Sequence, residues 1–256
     1  MSQLLFLGTG AADWNIEDRG AGFFRRNSSC LVNGELMADC GDHVFDYAQS
    51  HSCPGLFDGV KAVLISHTHG DHFSPDSVRR IAASHPITVG GCEAVIRAVG
   101  PHENITFVPF SPFKEALIGA YRVMPVLANH HTVISGDDAA FHYVITCPDG
   151  KKLFYGLDGA WFLRPSWEEM KKHRFDAMIF DCTVGDSDDW RIFEHNTVPM
   201  LRMMIPEIKR TGMATDETKL IASHLARTLH VNHEHTSAIL APLGMTVAFD
   251  GAGFEF

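Results

Sequence analysis

The sequence has no C-x-x-C pair, no apolar run near the roughly 18 residues of a membrane span, and no basic surplus. Each absence excludes something. Of the cysteines at 30, 40, 53, 92, 147 and 182, Cys30, Cys40, Cys147 and Cys182 lie in or beside apolar, strand-like segments. That placement fits buried thiols in a reducing cytoplasm rather than a disulfide framework. A formal charge of −10 argues against an extended nucleic-acid partner, whose affinity would come from Lys and Arg on phosphates. The short basic pairs Arg25-Arg26, Arg79-Arg80, Lys151-Lys152 and Lys171-Lys172 are expected to be solvated surface pairs. The opening M-S-Q-L-L-F-L-G-T-G has no basic n-region and breaks at Gly8, so it is expected to form a first strand rather than a signal peptide.

No linker, low-complexity run or fixed-period repeat interrupts the chain, and a single domain over residues 1–256 is the simplest expectation. Strand-like segments are read at Leu4–Leu7, Cys30–Val32, Leu36–Ala38, Val60–Ile65, Ile87–Val89, Ile105–Val108, Tyr121–Leu127, Phe141–Cys147, Lys152–Tyr155, Ala177–Phe180, Lys219–Ala222 and Thr246–Phe249. Helical patterns fit Ser74–Ser84, Cys92–Val99, Ser166–Lys172, Val198–Arg210 and His233–Leu240. Asn33-Gly34 and Asp149-Gly150 read as hairpin turns. Meanders mixed with β-α units predict an α/β fold of four layers, two sheets face to face with helices outside.

Histidine is in surplus: sixteen, against four tyrosines and four tryptophans. Three of them fall in one loop, I-S-H-T-H-G-D-H-F, directly after an apolar run. His67, His69, Asp71 and His72 are too many ligand-type side chains for one structural ion, which usually draws on two distant pairs. A pair of ions would use them all. Further polar residues close other apolar strands: Asp39, the Asn129-His130-His131 stretch, Asp158 and His224. Strand C-termini are where sheet proteins gather functional groups. Taken singly each is more simply a turn former; their order behind H-x-H-x-D-H changes the balance.

This order, His67-x-His69-x-Asp71-His72 followed by His130, Asp158 and His224, resembles the metallo-β-lactamase superfamily, over nearly the whole chain. The resemblance implies a metallo-β-lactamase αββα sandwich with two divalent metal ions, Zn²⁺ or Mn²⁺, at one edge. It assigns His67, His69 and His130 to the first ion, and Asp71, His72 and His224 to the second. Asp158 would bridge both, and Asp39 would orient loop ligands. His130 and His131 are adjacent and point to opposite sides of an extended chain; the family pattern favours His130. Two ions roughly 3.5–4 Å apart can lower the pKa of a shared water and clamp the oxygens of a displacement.

Ile179-Phe180-Asp181-Cys182-Thr183, His195-Asn196-Thr197 and Phe24-Arg25-Arg26 resemble elements of the tRNA-processing and phosphoribosyl cyclic phosphate phosphodiesterase branches. The cysteine-rich loop of the cyclic phosphodiesterase group has no counterpart in residues 15–22. The resemblance implies hydrolysis of a small, cyclic phosphodiester, with Asp71, His195 and Asp181 as catalytic candidates. His195 would protonate the leaving alkoxide and Asp181 would hold the imidazole. The competing reading of His195 is a residue that merely precedes a helix capped by Asn196 or Thr197. A thioester hydrolase of glyoxalase-II type and a non-catalytic metal-binding protein are the alternative functions. The expected partner is a small phosphorylated substrate, with no membrane and no extended nucleic acid; a homodimer stays open. His233 and His235 are expected outside the site.

Overall fold

Asn33 and Gly34 both adopt positive φ, 54° and 67°, and this left-handed pair turns β2 (Ser29–Val32) tightly back onto β3 (Leu36–Ala38). The computed structural model describes residues 1–20, 23–132 and 138–256. Residues 21 and 22 of the cysteine-free segment 15–22 lie outside the described residues.

In chain order the strands are β1 (Gln3–Gly8), β2, β3, β4 (Ala62–Leu64), β5 (Ile87–Gly91), β6 (Ile105–Pro109), β7 (Ala116–Ile118), β8 (Tyr121–Leu127), β9 (Phe141–Thr146), β10 (Lys152–Gly156), β11 (Ala177–Asp181), β12 (Lys219–Ser223), β13 (Met245–Val247) and β14 (Gly253–Glu255). Six helices accompany them: α1 (His43–Ser50), α2 (Pro75–Ala82), α3 (Glu93–Val99), α4 (Arg164–Met170), α5 (Val198–Arg210) and α6 (His233–Leu240). The strands form two seven-stranded sheets, ordered β14-β1-β2-β3-β4-β5-β6 and β13-β12-β11-β10-β9-β8-β7. Each sheet has three antiparallel pairings, β14-β1-β2-β3 in one and β7-β8-β9-β10 in the other, and three parallel ones, β3-β4-β5-β6 and β10-β11-β12-β13. The parallel crossovers carry helices, as parallel pairing requires. The expected mixture of meanders and β-α units takes one form twice: in chain order each sheet has antiparallel strands followed by β-α units.

Period-two alternation explains the layers. On β10, Leu153 and Tyr155 join the core shared with Leu31, Met37 and Val63 of the first sheet, while Phe154 between them joins Leu201, Ile205 and Ile208 of α5. Ala177 and Ile179 against Met178 and Phe180 repeat the division on β11. Strands covered on both faces read as continuous apolar runs, which is how they were legible. Helix α5 starts at Thr197, whose hydroxyl accepts from the Met200 N–H at 3.1 Å. Its buried face, Val198, Leu201, Met204, Ile205 and Ile208, has helical spacing. Leu201 is fully buried, so Leu201→Ala should cost about 2–5 kcal/mol.

Three elements escaped the sequence pattern: α1, β7 and β14. The two strands have three residues each, and α1 has eight and starts without a side-chain cap. The last expected strand sits earlier, at Met245–Val247, leaving Phe249 exposed. One expectation is corrected outright: Arg25 and Arg26 are buried. The Arg26 guanidinium pairs with Asp46 at 2.8 Å and Asp250 at 3.2 Å, and Arg25 donates to Thr9 and the Ala248 carbonyl. Five of the six cysteines are buried, and Cys53 is exposed. Among the described residues no helix is long and apolar enough to cross a membrane.

Candidate metal centre

Strand ends on both sheets deliver the site. β4 ends at Leu64 and leads into the histidine loop; β8, β10 and β12 end just before His130, Asp158 and His224. The loop is fastened at several points: Ile65 N–H to the Gly90 carbonyl (2.9 Å), Cys40 N–H to His72 (2.8 Å) and Phe73 N–H to His69 (2.9 Å). Of six non-glycine residues with positive φ among those described, three are Asp39, Asp158 and His224. Left-handed backbone at such residues carries strain that persists only where the surroundings fix it. Here it turns each chain sharply so that the side chain points into the cluster.

The structure brings together all seven predicted ligands. Ligand atoms of His67, His69, His130 and Asp158 lie within 4.8 Å of one another, and so do those of Asp71, His72, Asp158 and His224. Asp158 belongs to both groups: its Oδ2 is 3.2 Å from His67 Nε2, 3.2 Å from His72 Nε2 and 3.4 Å from His130 Nε2, and its Oδ1 is 2.9 Å from His224 Nε2. His131, by contrast, is exposed, which separates the adjacent pair.

The donor set fits divalent cations on physical grounds. His72 Nδ1 donates to Asp39 Oδ2 at 2.7 Å, and His224 Nδ1 is 2.7 Å from the Thr183 hydroxyl. With those protons on Nδ1, the two Nε2 atoms present lone pairs to each other at 3.1 Å. His130 Nε2 and His69 Nδ1 face one another at the same distance. Buried His67 Nε2 and Asp158 Oδ1 have no hydrogen-bond partner, since their short contacts are misaligned. Unpaired lone pairs converging in a buried space are costly unless a cation or protons fill it. Imidazole with carboxylate suits Zn²⁺ and admits Mn²⁺.

Two buried carboxylates stand behind the cluster. Asp39 accepts from Ser66 N–H (2.8 Å), Ser66 Oγ (3.0 Å), Tyr155 OH (2.8 Å) and His72. Asp181 accepts from Thr183 N–H (3.0 Å), Thr183 Oγ1 (2.9 Å), Asn196 N–H (2.9 Å) and His195 Nδ1 (2.8 Å). Such partners fix tautomer and ring orientation. Burial alone would raise the Asp158 pKa, but His224, His72 and His130 outweigh it and hold the carboxyl well below its usual range. Burial pushes His130 down to about 3. Burial also opposes the His195 imidazolium, yet Asp181 and Asp158 prevail and raise its pKa.

His195 lies on the wall of a cavity of about 240 Å³, together with Asp71, Thr183, Trp190, Arg191 and Glu194. Its backbone does not cap α5, a role taken by Thr197. Thr183, Tyr155 and Ser66 were not singled out as orienting residues; a hydroxyl two residues after a strand-end aspartate was the available signal for Thr183. His233 contacts Arg25 and His235 contacts Asp186, both outside the cluster.

A family model described as the Beta-lactamase superfamily domain matches residues 37–247. Similar solved structures include the metallo-beta-lactamase fold protein YhfI from Bacillus subtilis, 14% identical with a TM-score of 0.73 and full coverage of both chains. A diphosphatase of the PhnP family is 18% identical with a TM-score of 0.71, covering 100% of this chain and 98% of its own. Zn²⁺-bound PqqB from Methylobacterium extorquens is 15% identical with a TM-score of 0.69, covering 99% and 100%. At these identities the likeness speaks to the fold. No curated protein matches the sequence.

Proposed function

The chain belongs to the beta-lactamase superfamily, and on that premise we propose that it is a single-domain hydrolase using two divalent cations, Zn²⁺ or Mn²⁺, to cleave a small, cyclic phosphodiester. His67, His69, His130 and Asp158 would hold one ion, and Asp71, His72, His224 and the shared Asp158 the other. When bound, such a pair acidifies water and neutralises charge on phosphoryl oxygens. The protein's own contribution is proton handling and orientation. Asp71 reaches the cavity and offers a carboxylate oxygen as proton acceptor for attacking water. His195 supplies the proton that the departing alkoxide needs when the P–O bond breaks, and Asp181 keeps its ring charged and aimed.

The observation that carries this reading is the Asp181–His195 pair, 2.8 Å apart, whose imidazole stands on the same cavity wall as the ligands while Asp181 is buried behind it. Thioester hydrolysis needs no such acid, because a thiolate leaves readily. The likeness to a PhnP-family diphosphatase points toward phosphorus chemistry. The test compares leaving groups. His195→Ala should slow cleavage of a 2′,3′-cyclic nucleotide by roughly 10²–10⁴-fold and barely affect bis(p-nitrophenyl) phosphate, whose phenolate leaves unprotonated. Metal-replete wild type that cleaves lactoylglutathione but neither phosphodiester would overturn the proposal in favour of a glyoxalase-II-like activity.

A further inference from the structure

One feature of the cavity has no role in the chemistry above. Trp190 lines it yet remains 70% exposed, and Phe193, one turn later in the short 3₁₀ helix Trp190–Phe193, is 74% exposed. In a 3₁₀ helix residues i and i+3 eclipse, so the two rings share a face. The segment is rigidly mounted. Asp189 caps it by accepting from the Arg191 N–H at 2.9 Å, and it grips the Arg191 guanidinium at 2.7 and 3.1 Å. The Arg191 carbonyl then accepts from Glu194 N–H at 2.9 Å and His195 N–H at 2.8 Å. The aromatic face is therefore fixed relative to His195.

Two charged groups on this wall are already paired, and the Glu194 carboxylate stands 3.8 Å from His130 Nδ1. Arg191 is paired to Asp189, and Asp13 accepts from Arg227 N–H, Thr228 N–H and the Thr228 hydroxyl. Ala11 and Ala12 add only methyl groups to the lining. A cavity of about 240 Å³ is smaller than the roughly 300–1,000 Å³ that encloses a drug-sized ligand. A phosphate and sugar fit inside; any larger group must rest on the rim, where the indole stands. Resting on the phosphodiesterase reading above, we propose that Trp190 is a specificity-determining residue that stacks on a nucleobase, making the substrate class nucleotides rather than base-free sugar phosphates.

The test measures affinity of zinc-loaded protein for AMP and ribose 5-phosphate by calorimetry, alongside cleavage of 2′,3′-cyclic AMP. Base–aromatic stacking predicts AMP binding roughly 5- to 150-fold weaker in Trp190→Ala, with near wild-type affinity in Trp190→Phe. Ribose 5-phosphate should bind all three proteins alike. Equal affinity of wild type for AMP and ribose 5-phosphate, or unchanged AMP affinity in Trp190→Ala, overturns the assignment. The two readings fail separately. AMP binding that depends on Trp190 without phosphodiester cleavage keeps the base platform and removes the phosphodiesterase; base-independent cleavage does the reverse.

Discussion

The two halves of the histidine–aspartate cluster share Asp158 but are built differently. In one half, Asp71, His72, Asp158 and His224 are all buried; in the other, His69 is half-buried, although the His130 ring is buried. The backing differs as well. His72 and His224 turn their far nitrogens toward Asp39 and toward the Thr183–Asp181 pair. His67 has the Ser66 hydroxyl at 2.9 Å, which itself donates to Asp39, and His130 has the Glu194 carbonyl at 3.4 Å with the Glu194 carboxylate farther off at 3.8 Å. A carboxylate behind an imidazole raises its basicity more than a neutral acceptor does. The deep half would thus be the more enclosed metal site, with a carboxylate directly on His72, while both halves reach the cavity, through His69 and His130 on one side and Asp71 and His224 on the other. Zinc titration of chelator-treated protein should therefore show two steps of unequal affinity.

The largest effect should come from Asp158→Ala, which removes the shared ligand and abolishes the distinction. We expect bound metal to fall below one ion per chain and cyclic phosphodiester cleavage to drop to background, read by metal quantification beside activity. Two ions retained at wild-type affinity would show that Asp158 is not common to both. A smaller and unequal effect is expected of Asp39→Asn, greater on His72, which it contacts directly, than on His67, which it reaches through Ser66. It leaves the ligands in place but weakens the acceptor behind His72, and should lower affinity at the deep half by about 10–100-fold. Glu194→Gln, whose carboxylate lies 3.8 Å from His130 Nδ1 without hydrogen-bonding to it, should weaken the shallow step less than Asp39→Asn weakens the deep one and leave the deep step unchanged. Equal loss at both steps in Asp39→Asn would break the asymmetry.

The clustered residues were legible because they are local signals at strand ends: four of them fall within six residues, and Asp158 and His224 each follow a strand that is buried after its first residue. The sandwich was legible because β10 and β11 are covered on both faces and so read as apolar runs. What supports the site was not, because its partners are remote in sequence. Arg26 looked like a surface residue until Asp46 and Asp250, 20 and 224 positions away, were brought to it. Tyr155 on β10 reaches Asp39, 116 positions earlier. The choice between His130 and His131 depends on which side of a loop faces the cluster. Sequence spacing can name such a pair but cannot orient it.

The smallest effect concerns the footing of the deep half. His230 Nε2 is 2.8 Å from the Cys182 carbonyl and 3.2 Å from that of Thr183, so it fastens the backbone that presents Thr183 to His224. Burial, with a further contribution from Arg25, lowers the His230 pKa below its ordinary 6.5. A folded-state pKa below the unfolded value means that the neutral ring stabilises the fold fully above about pH 6.5, and that this contribution is lost as pH falls through that value toward the folded pKa. His230→Gln keeps an N–H donor but cannot take up a proton. With zinc saturating both proteins, the melting temperature of wild type should fall more steeply between pH 7 and 5 than that of the variant. Cys182 and Thr183 support only the deep half, so zinc affinity at the shallow step should follow the same pH course in both proteins. Parallel melting curves across this range would show that His230 is not the group whose protonation loosens the β11 end.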